Sequence, residues 1–268
     1  MKKTFFAVIS GVCILAGLSS CARVVAAGRN YVTRQVEVGS FNGISTSNAV
    51  DVVYTQSTGS PRVEVYAPDN EIDRITVDIS GGILCVGIKG DNNNKIWGAT
   101  KREVRVSAPA VNSLKASSSG DIILKNGLTS KGNITINVSS SGDVIGDNIS
   151  CTGNLDLSAS SSGDIKVANM KCRNLTASAS SSGDVKIGTL SCDNLTAHAG
   201  SSGDVVVRLL TAQNVKADAN SSGDVKLAGT CVNADLSASS SGDINASGLK
   251  AKNISKSESS SGSVVYGN

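Results

Sequence analysis

Between Asn174 and Cys192, apolar and polar residues take turns. Leu175, Ala177 and Ala179 alternate with Thr176, Ser178 and Ser180, the two-residue period of a half-buried strand. Ser181-Ser182-Gly183 interrupts the alternation with turn chemistry, in which Gly is expected to supply a positive φ. Asp184-Val185-Lys186-Ile187 then resumes it, Gly188-Thr189 turns once more, and Leu190 and Cys192 point inward again. No stretch shows helical spacing, and none is long enough for a crossover helix. The unit is two or three short strands.

That unit repeats. Ser-Ser-Gly-Asp recurs with its Gly at 120, 142, 163, 183, 203, 223 and 242, and an eighth copy, Ser260-Ser261-Gly262-Ser263, lacks the Asp. A second marker runs in phase with the first: Asn133, Asn154, Asn174, Asn194, Asn214, Asn233 and Asn253. Helix-free units of roughly twenty residues held in register describe a β-solenoid whose coils pair in parallel, about 4.8 Å apart. The period carries no hexapeptide, which points to a right-handed hand. The fold class expected is therefore all-β, a right-handed parallel β-helix of about eight coils over residues 117–268.

Residues 33–116 differ in texture. Alternating runs at Arg34–Val38, Val50–Gln56, Arg62–Tyr66, Ile72–Ile79, Ile83–Ile88 and Glu103–Ser107 predict strands, with a hairpin at Ser80-Gly81-Gly82. Tyr31, Phe41, Tyr54, Tyr66 and Trp97 fall in or beside this region, whereas residues 117–265 hold no aromatic. An open solenoid end invites edge-to-edge pairing, so this irregular β segment is expected to begin and cap the stack. Ahead of it, Lys2 and Lys3, the apolar run Phe5–Leu18 and Leu18-Ser19-Ser20-Cys21 form an export signal over residues 1–20, too short for a membrane span. Small residues before Cys21 resemble a bacterial lipobox. Cys21 is then the lipidated first residue, residues 21–32 are a tether, and Ala22 suggests the outer membrane.

Composition narrows the function. There is one His and the formal charge is only +3. No basic run is interleaved with aromatics, so nucleic acid is not an expected partner. His198 stands alone between Ala197 and Ala199, and without a second His or a base-orienting acid no nucleophilic triad can be assembled. The clustered acids and Gly-His-Gly stretch typical of β-helical polysaccharide hydrolases are absent, and the coils hold only Arg173 and Arg208 as lyase-type bases. A non-enzymatic protein without a cofactor is expected.

Three ladders invite chemical readings. Asp164, Asp184, Asp204 and Asp224, with Asp121, Asp143 and Asp243, line one edge, where they are either calcium ligands or acceptors for turn N–H groups beside Lys166, Lys186 and Lys226. The second use is the simpler, because each turn supplies one carboxylate. The Asn row is expected to hydrogen-bond along the axis. Cys151, Cys172, Cys192 and Cys231 share an inward position that Ala212 fills in another coil, which suits buried free thiols better than a tetrahedral metal site.

Phe41-Asn42-Gly43-Ile44, Val52-Val53-Tyr54-Thr55-Gln56, Val63-Glu64-Val65 and Gly82-Ile83-Leu84, followed by the Ser-Gly-Asp turns, together resemble the head GIN domain family of putative auto-transporter adhesins, over about residues 33–268. The resemblance implies a β-helix in a Bacteroidetes-type cell envelope and no catalytic residues. The expected role is an adhesin or envelope scaffold that meets an envelope protein or glycan through its ends or loops. A glycan-binding module would use Trp97, Tyr54 or Tyr66, since sugars favour aromatic platforms. The last coil, ending Val264-Val265-Tyr266, is expected to leave unpaired backbone groups on which a partner or second copy could add a strand.

Overall fold

The computed structural model describes residues 30–90 and 100–267. Cys21 and Trp97 lie outside the described residues. The strands β1 (Tyr31–Val36), β2 (Gly43–Thr46), β3 (Asp51–Gln56), β4 (Arg62–Pro68), β5 (Ile75–Ser80), β6 (Ile83–Ile88), β7 (Glu103–Ala108), β8 (Ser113–Ala116) and β9 (Ile122–Leu124) build the first part. Twelve more follow, from β10 (Leu128–Ser130) to β21 (Ser263–Tyr266). Among the described residues only Ile72–Arg74 forms a helical turn, of 3-10 type. That turn occupies the start of the run expected to be extended from Ile72.

The repeat region is a parallel β-solenoid, as the period predicts. Asn154 pairs with Asn174 and Asn174 with Asn194, Leu155 with Leu175 and Leu195, and Ile165 with Val185 and Val205. Like side chains therefore stack on like. Each inner coil has three short sides, with a corner where two exposed residues occur in succession, such as Ala168-Asn169. The core is a column of Leu, Ile, Val and Ala, fully buried at Leu155, Ile165, Ala177, Val185 and Ala197.

The Ser-Ser-Gly turn works differently from the expectation. Gly183 donates its N–H to the Ser180 carbonyl at 3.1 Å, but the left-handed residue is Ser181, at φ 60°, and likewise Ser201, Ser221, Ser240 and Ser260. The glycine is required for space. A Cβ on Gly183 would lie 2.6 Å from the Ser160 nitrogen and 2.7 Å from the Gly163 oxygen of the preceding coil, and Gly163, Gly203, Gly223 and Gly242 face the same obstruction. Successive coils touch backbone to backbone here.

The N-terminal segment contributes coils as well as a cap. β2 pairs in parallel with β6 on one side and β8 on the other, and β3 with β7 and β9. The coil β2–β3, first in the chain, is thus second in space, and the later β6–β7 is outermost. A boundary at 116/117 therefore falls inside a coil, between β8 and β9. Beyond the outermost coil, β5 runs antiparallel to β6, β4 antiparallel to β7, and β1 antiparallel to β4. The expected Ser80-Gly81-Gly82 hairpin joins β5 to β6, with both glycines at positive φ. The antiparallel strands close the edge that a bare parallel coil would expose.

The other end carries a sparser cover. In the pairing of β19 (Val225–Ala238) with β20 (Asp243–Glu258), Leu236 and Ala238 of the core column are followed by Lys256 and Glu258. Glu258 accepts the N–H of Val264 at 2.7 Å, and the Tyr266 hydroxyl accepts that of Ala251 at 2.9 Å. Inward charges and side-chain caps are the devices that blunt a sheet edge. These side chains cap two positions; β21 meets only Asp243–Ala246, so among the described residues the rest of the outer edge of β20 pairs with no strand, and Ile254 stands exposed on it.

Two substitutions separate space from backbone angle. Gly183→Ala should destabilise by about 1–3 kcal/mol through overpacking, whereas Ser181→Gly should be neutral or stabilise by up to about 1 kcal/mol by relieving a left-handed L-residue. Urea unfolding of both variants tests this, and a harmless Gly183→Ala would contradict the contact.

Candidate functional site

The Asp row is built into the turns. The N–H of Asp184 donates to Oδ1 of Asp164 at 3.0 Å, that of Asp204 to Asp184 at 3.0 Å, and that of Asp224 to Asp204 at 3.2 Å. Asp164 and Asp143 continue the series downward, at 2.9 Å each, to Asp143 and Asp121. The second oxygens meet lysines: Lys166 Nζ lies 2.9 Å from Asp164 and 3.3 Å from Asp143, and Lys186 Nζ 2.6 Å from Asp184. Lys226 sits more loosely, 3.5 Å from Asp224. These carboxylates are occupied by backbone donors and ammonium groups, and no group of three potential ligands is gathered among the described residues.

A further rung was missed in the sequence. Asp121 donates its N–H to Oδ1 of Asp51 at 3.2 Å. The turn before Asp51 has the shape of the repeat turns, with Asn48 and Ala49 at positive φ, as Ser118 and Ser119 are. Gly120 lies under it, its absent Cβ 2.8 Å from the Val50 oxygen. The one sequence sign was Asp-Val after a short polar turn. The residues of the cap separate it from Asp121, which hides the period.

At Asp51 and Asp121 the outward neighbours are Val53 and Ile123 rather than lysine. Burial pushes both carboxyls above the ordinary range, the N–H donated by the next Asp pulls each down in part, and the next carboxylate's charge adds to the rise. The thiols of Cys172 and Cys192 are buried and pushed up to about 12, mainly by desolvation. Such thiols are poor nucleophiles and poor metal ligands. Asn174, Asn194, Asn214, Asn233 and Asn253 each donate to the Asn of the coil before, at 2.7–2.9 Å. His198 rests its Nδ1 3.2 Å from Asp218 on a half-exposed face.

The aromatics divide. Tyr54 is fully buried and donates its hydroxyl to the Pro109 carbonyl at 2.7 Å. It is a core residue and cannot serve as a sugar platform, because its inward parity on β3 aims the ring into the column. Tyr66, outward on β4, stacks on Tyr31 with ring centroids 5.1 Å apart, and the Arg105 guanidinium lies 4.6 Å from its centroid.

Beside this cluster runs an open groove of about 640 Å³, floored by Val53, Thr55 and Ser107 and walled by Arg62, Glu64, Arg105 and Lys125. Arg105 is held by Glu64 at 2.7 Å and Glu103 at 2.6 Å. Arg62 and Lys125 form no ion pair among the described residues and remain available. Sequence reasoning missed them because β4, β7, β3 and β9 become neighbours only through the exchanged coil order. Chemically, the groove offers two free cations and a fixed guanidinium–carboxylate fork, whose Arg105 also lies over the Tyr66 ring.

The family model described as "Putative auto-transporter adhesin, head GIN domain" matches residues 40–209 and 188–266. Among solved structures, the chain is similar to a "putative adhesin" of Parabacteroides distasonis, at 18% identity and a TM-score of 0.75, covering 88% of this chain and 96% of that one. A "putative adhesin" of Parabacteroides merdae is similar at 20% identity and 0.75, covering 89% and 98%. A "Putative lipid binding protein" of Parabacteroides distasonis follows at 23% and 0.60, covering 89% and 98%. Identities this low express a shared fold. No curated protein matches the chain significantly.

The raised carboxyls give a signed pH dependence. A carboxyl whose folded pKa exceeds its unfolded value holds more protons when folded, so stability falls as pH rises from about the ordinary 3.8 through the raised value. Asp121→Asn keeps a carbonyl acceptor for Asp143 and removes the charge. It should raise the melting temperature at pH 7 and flatten the decline above pH 4. A lower melting temperature at pH 7, with the decline unchanged, would show that the Asp121 charge is stabilising.

Proposed function

The chain belongs to the head GIN domain family of putative auto-transporter adhesins, and from that premise we propose a non-enzymatic scaffold or adhesin of the cell envelope that grips an acidic glycan in the groove at its capped end. The observation that carries this reading is the pair of unpaired cations, Arg62 and Lys125, which flank the groove from opposite sides across Ser107 and Thr55, with the Tyr66–Arg105 stack nearby. Binding energy concentrates where aromatic and guanidinium groups gather. The coil faces present Ser, Thr, Asn and paired Lys–Asp instead, which hold water.

Placement supports the same reading. With Cys21 lipidated, residues 22–30 reach at most about 30 Å at roughly 3.5 Å per residue. β1 begins directly after them, at Tyr31, so such an anchor would be attached at the capped end of the solenoid. A site near its own anchor suits an envelope polymer better than a distant cell.

Calorimetry of residues 21–268 with polygalacturonate and with neutral dextran tests the groove. The acidic polymer should bind and dextran should not. Arg62→Gln with Lys125→Gln should weaken binding at least about tenfold, roughly 1.4 kcal/mol, and Ser178→Lys should leave it intact. Equal binding by the double variant overturns the groove. Fractionation of cells making Cys21→Ser tests the anchor: the protein should become soluble, and retention in membranes contradicts lipidation.

A further inference from the structure

Three arginines surround the 3-10 turn Ile72–Arg74 inside the cap. Arg34 donates through Nη2 to the carbonyls of Ile72 at 3.2 Å and Ile75 at 2.8 Å. Arg102 donates through Nε to Oε2 of Glu71 at 2.5 Å. Arg74 is the last residue of the turn itself.

Strand register explains why two of them meet there. Arg34 on β1 lies opposite Val65 on β4, and Val32 opposite Ala67. Glu103 on β7 lies opposite Tyr66, so Arg102 comes one step beyond, beside Ala67. Val63, Val65 and Ala67 face the core, and Arg34 and Arg102 share that inner face on either side of β4, Arg34 beside Val65 and Arg102 beside Ala67. The turn at Ile72 packs over the same face.

The charges do not balance. Arg102 is 5% exposed and Glu71 3%, Arg34 and Arg74 are half-buried, and Glu71 is the buried carboxylate of the turn; Asp69 and Asp73 are exposed. Each arginine also keeps a buried donor with no hydrogen-bond partner: Arg34 Nε, Arg74 Nη1 and Arg102 Nη2. They are the buried side-chain nitrogens and oxygens left unsatisfied among the described residues. Buried polar groups in folded proteins are nearly always paired, and buried cations need a counter-charge.

We propose that the cap binds a small oxyanion, sulfate or phosphate in size, on the free donors of Arg34, Arg74 and Arg102. Guanidinium forks match the oxygens of such an ion. The donors are enclosed, so the occupant is a free ion rather than the end of a polymer. This site is separate from the groove of Arg62 and Lys125, which lies on the outward face of the same strands. An ion here would fasten β1, the 3-10 turn and the start of β7 together and so close the outermost coil.

Thermal unfolding of residues 21–268 in millimolar sodium sulfate or phosphate, at constant ionic strength held with sodium gluconate, tests the proposal. The melting temperature should rise saturably, by roughly 5 °C at a hundredfold excess over Kd. Arg74→Gln should abolish the rise, Arg34→Gln should reduce it, and the surface control Arg173→Gln should keep it, with circular dichroism confirming that each variant is folded. No saturable rise with either ion means that water alone fills the place and overturns the proposal. A full rise in both Arg74→Gln and Arg34→Gln overturns it equally.

Discussion

Everything in this fold depends on how closely two coils approach at the Ser-Ser-Gly turn. The absent Cβ of Gly183 would stand 2.6 Å from a backbone nitrogen of the coil before it, so the turn is seated on main chain and not on side chains. That seat sets the distance at which the Asp184 N–H meets the Asp164 carboxylate. It also aligns Leu on Leu and Asn on Asn along the axis. Because one contact recurs at every turn, the rod is stabilised by neighbour-to-neighbour terms, and its two ends become the places that need separate solutions.

The two ends are solved by different chemistry. At the N-terminal end the chain leaves coil order, lays three antiparallel strands over the outermost coil and returns, burying Arg102 beside Glu71. At the C-terminal end, Lys256 and Glu258 replace core residues and Glu258 and Tyr266 take up loose N–H groups. The elaborate end carries the groove, the aromatic stack and the unbalanced arginines. The plain end caps two N–H groups and leaves the rest of the β20 edge unpaired among the described residues. This asymmetry favours function at the cap, with the coils acting as a spacer.

Much of this was legible in the sequence, for physical reasons that also mark where legibility stopped. A period of two and a repeated turn report solvent exposure and chain reversal directly, so the strands, coils and Asn stacking followed from Leu175, Asn174 and their equivalents. The role of Gly183 did not, since a glycine needed for space and one needed for φ look alike in sequence. Asp51 was hidden because a cap is inserted between it and Asp121. Tyr54 looked like a surface aromatic because parity on an isolated strand does not say which side faces the core. Arg62, Lys125, Arg34 and Arg102 have no local signature; strands distant in the chain bring them together. The groove could be read only after the coil order was known.

Hydrogen exchange resolved to single amides tests the seating of the turns most directly. The N–H groups of Gly163, Gly183, Asp184, Asp204 and Gly203 are held by the turn or by the coil beneath. They should exchange as slowly as core strand amides such as Val185 and Leu195, even though they lie in turns lined with serine. If instead they exchange at the rate of an open surface loop while Val185 and Leu195 stay protected, the coils are held by their strands alone and the turn contact is not what the fold depends on.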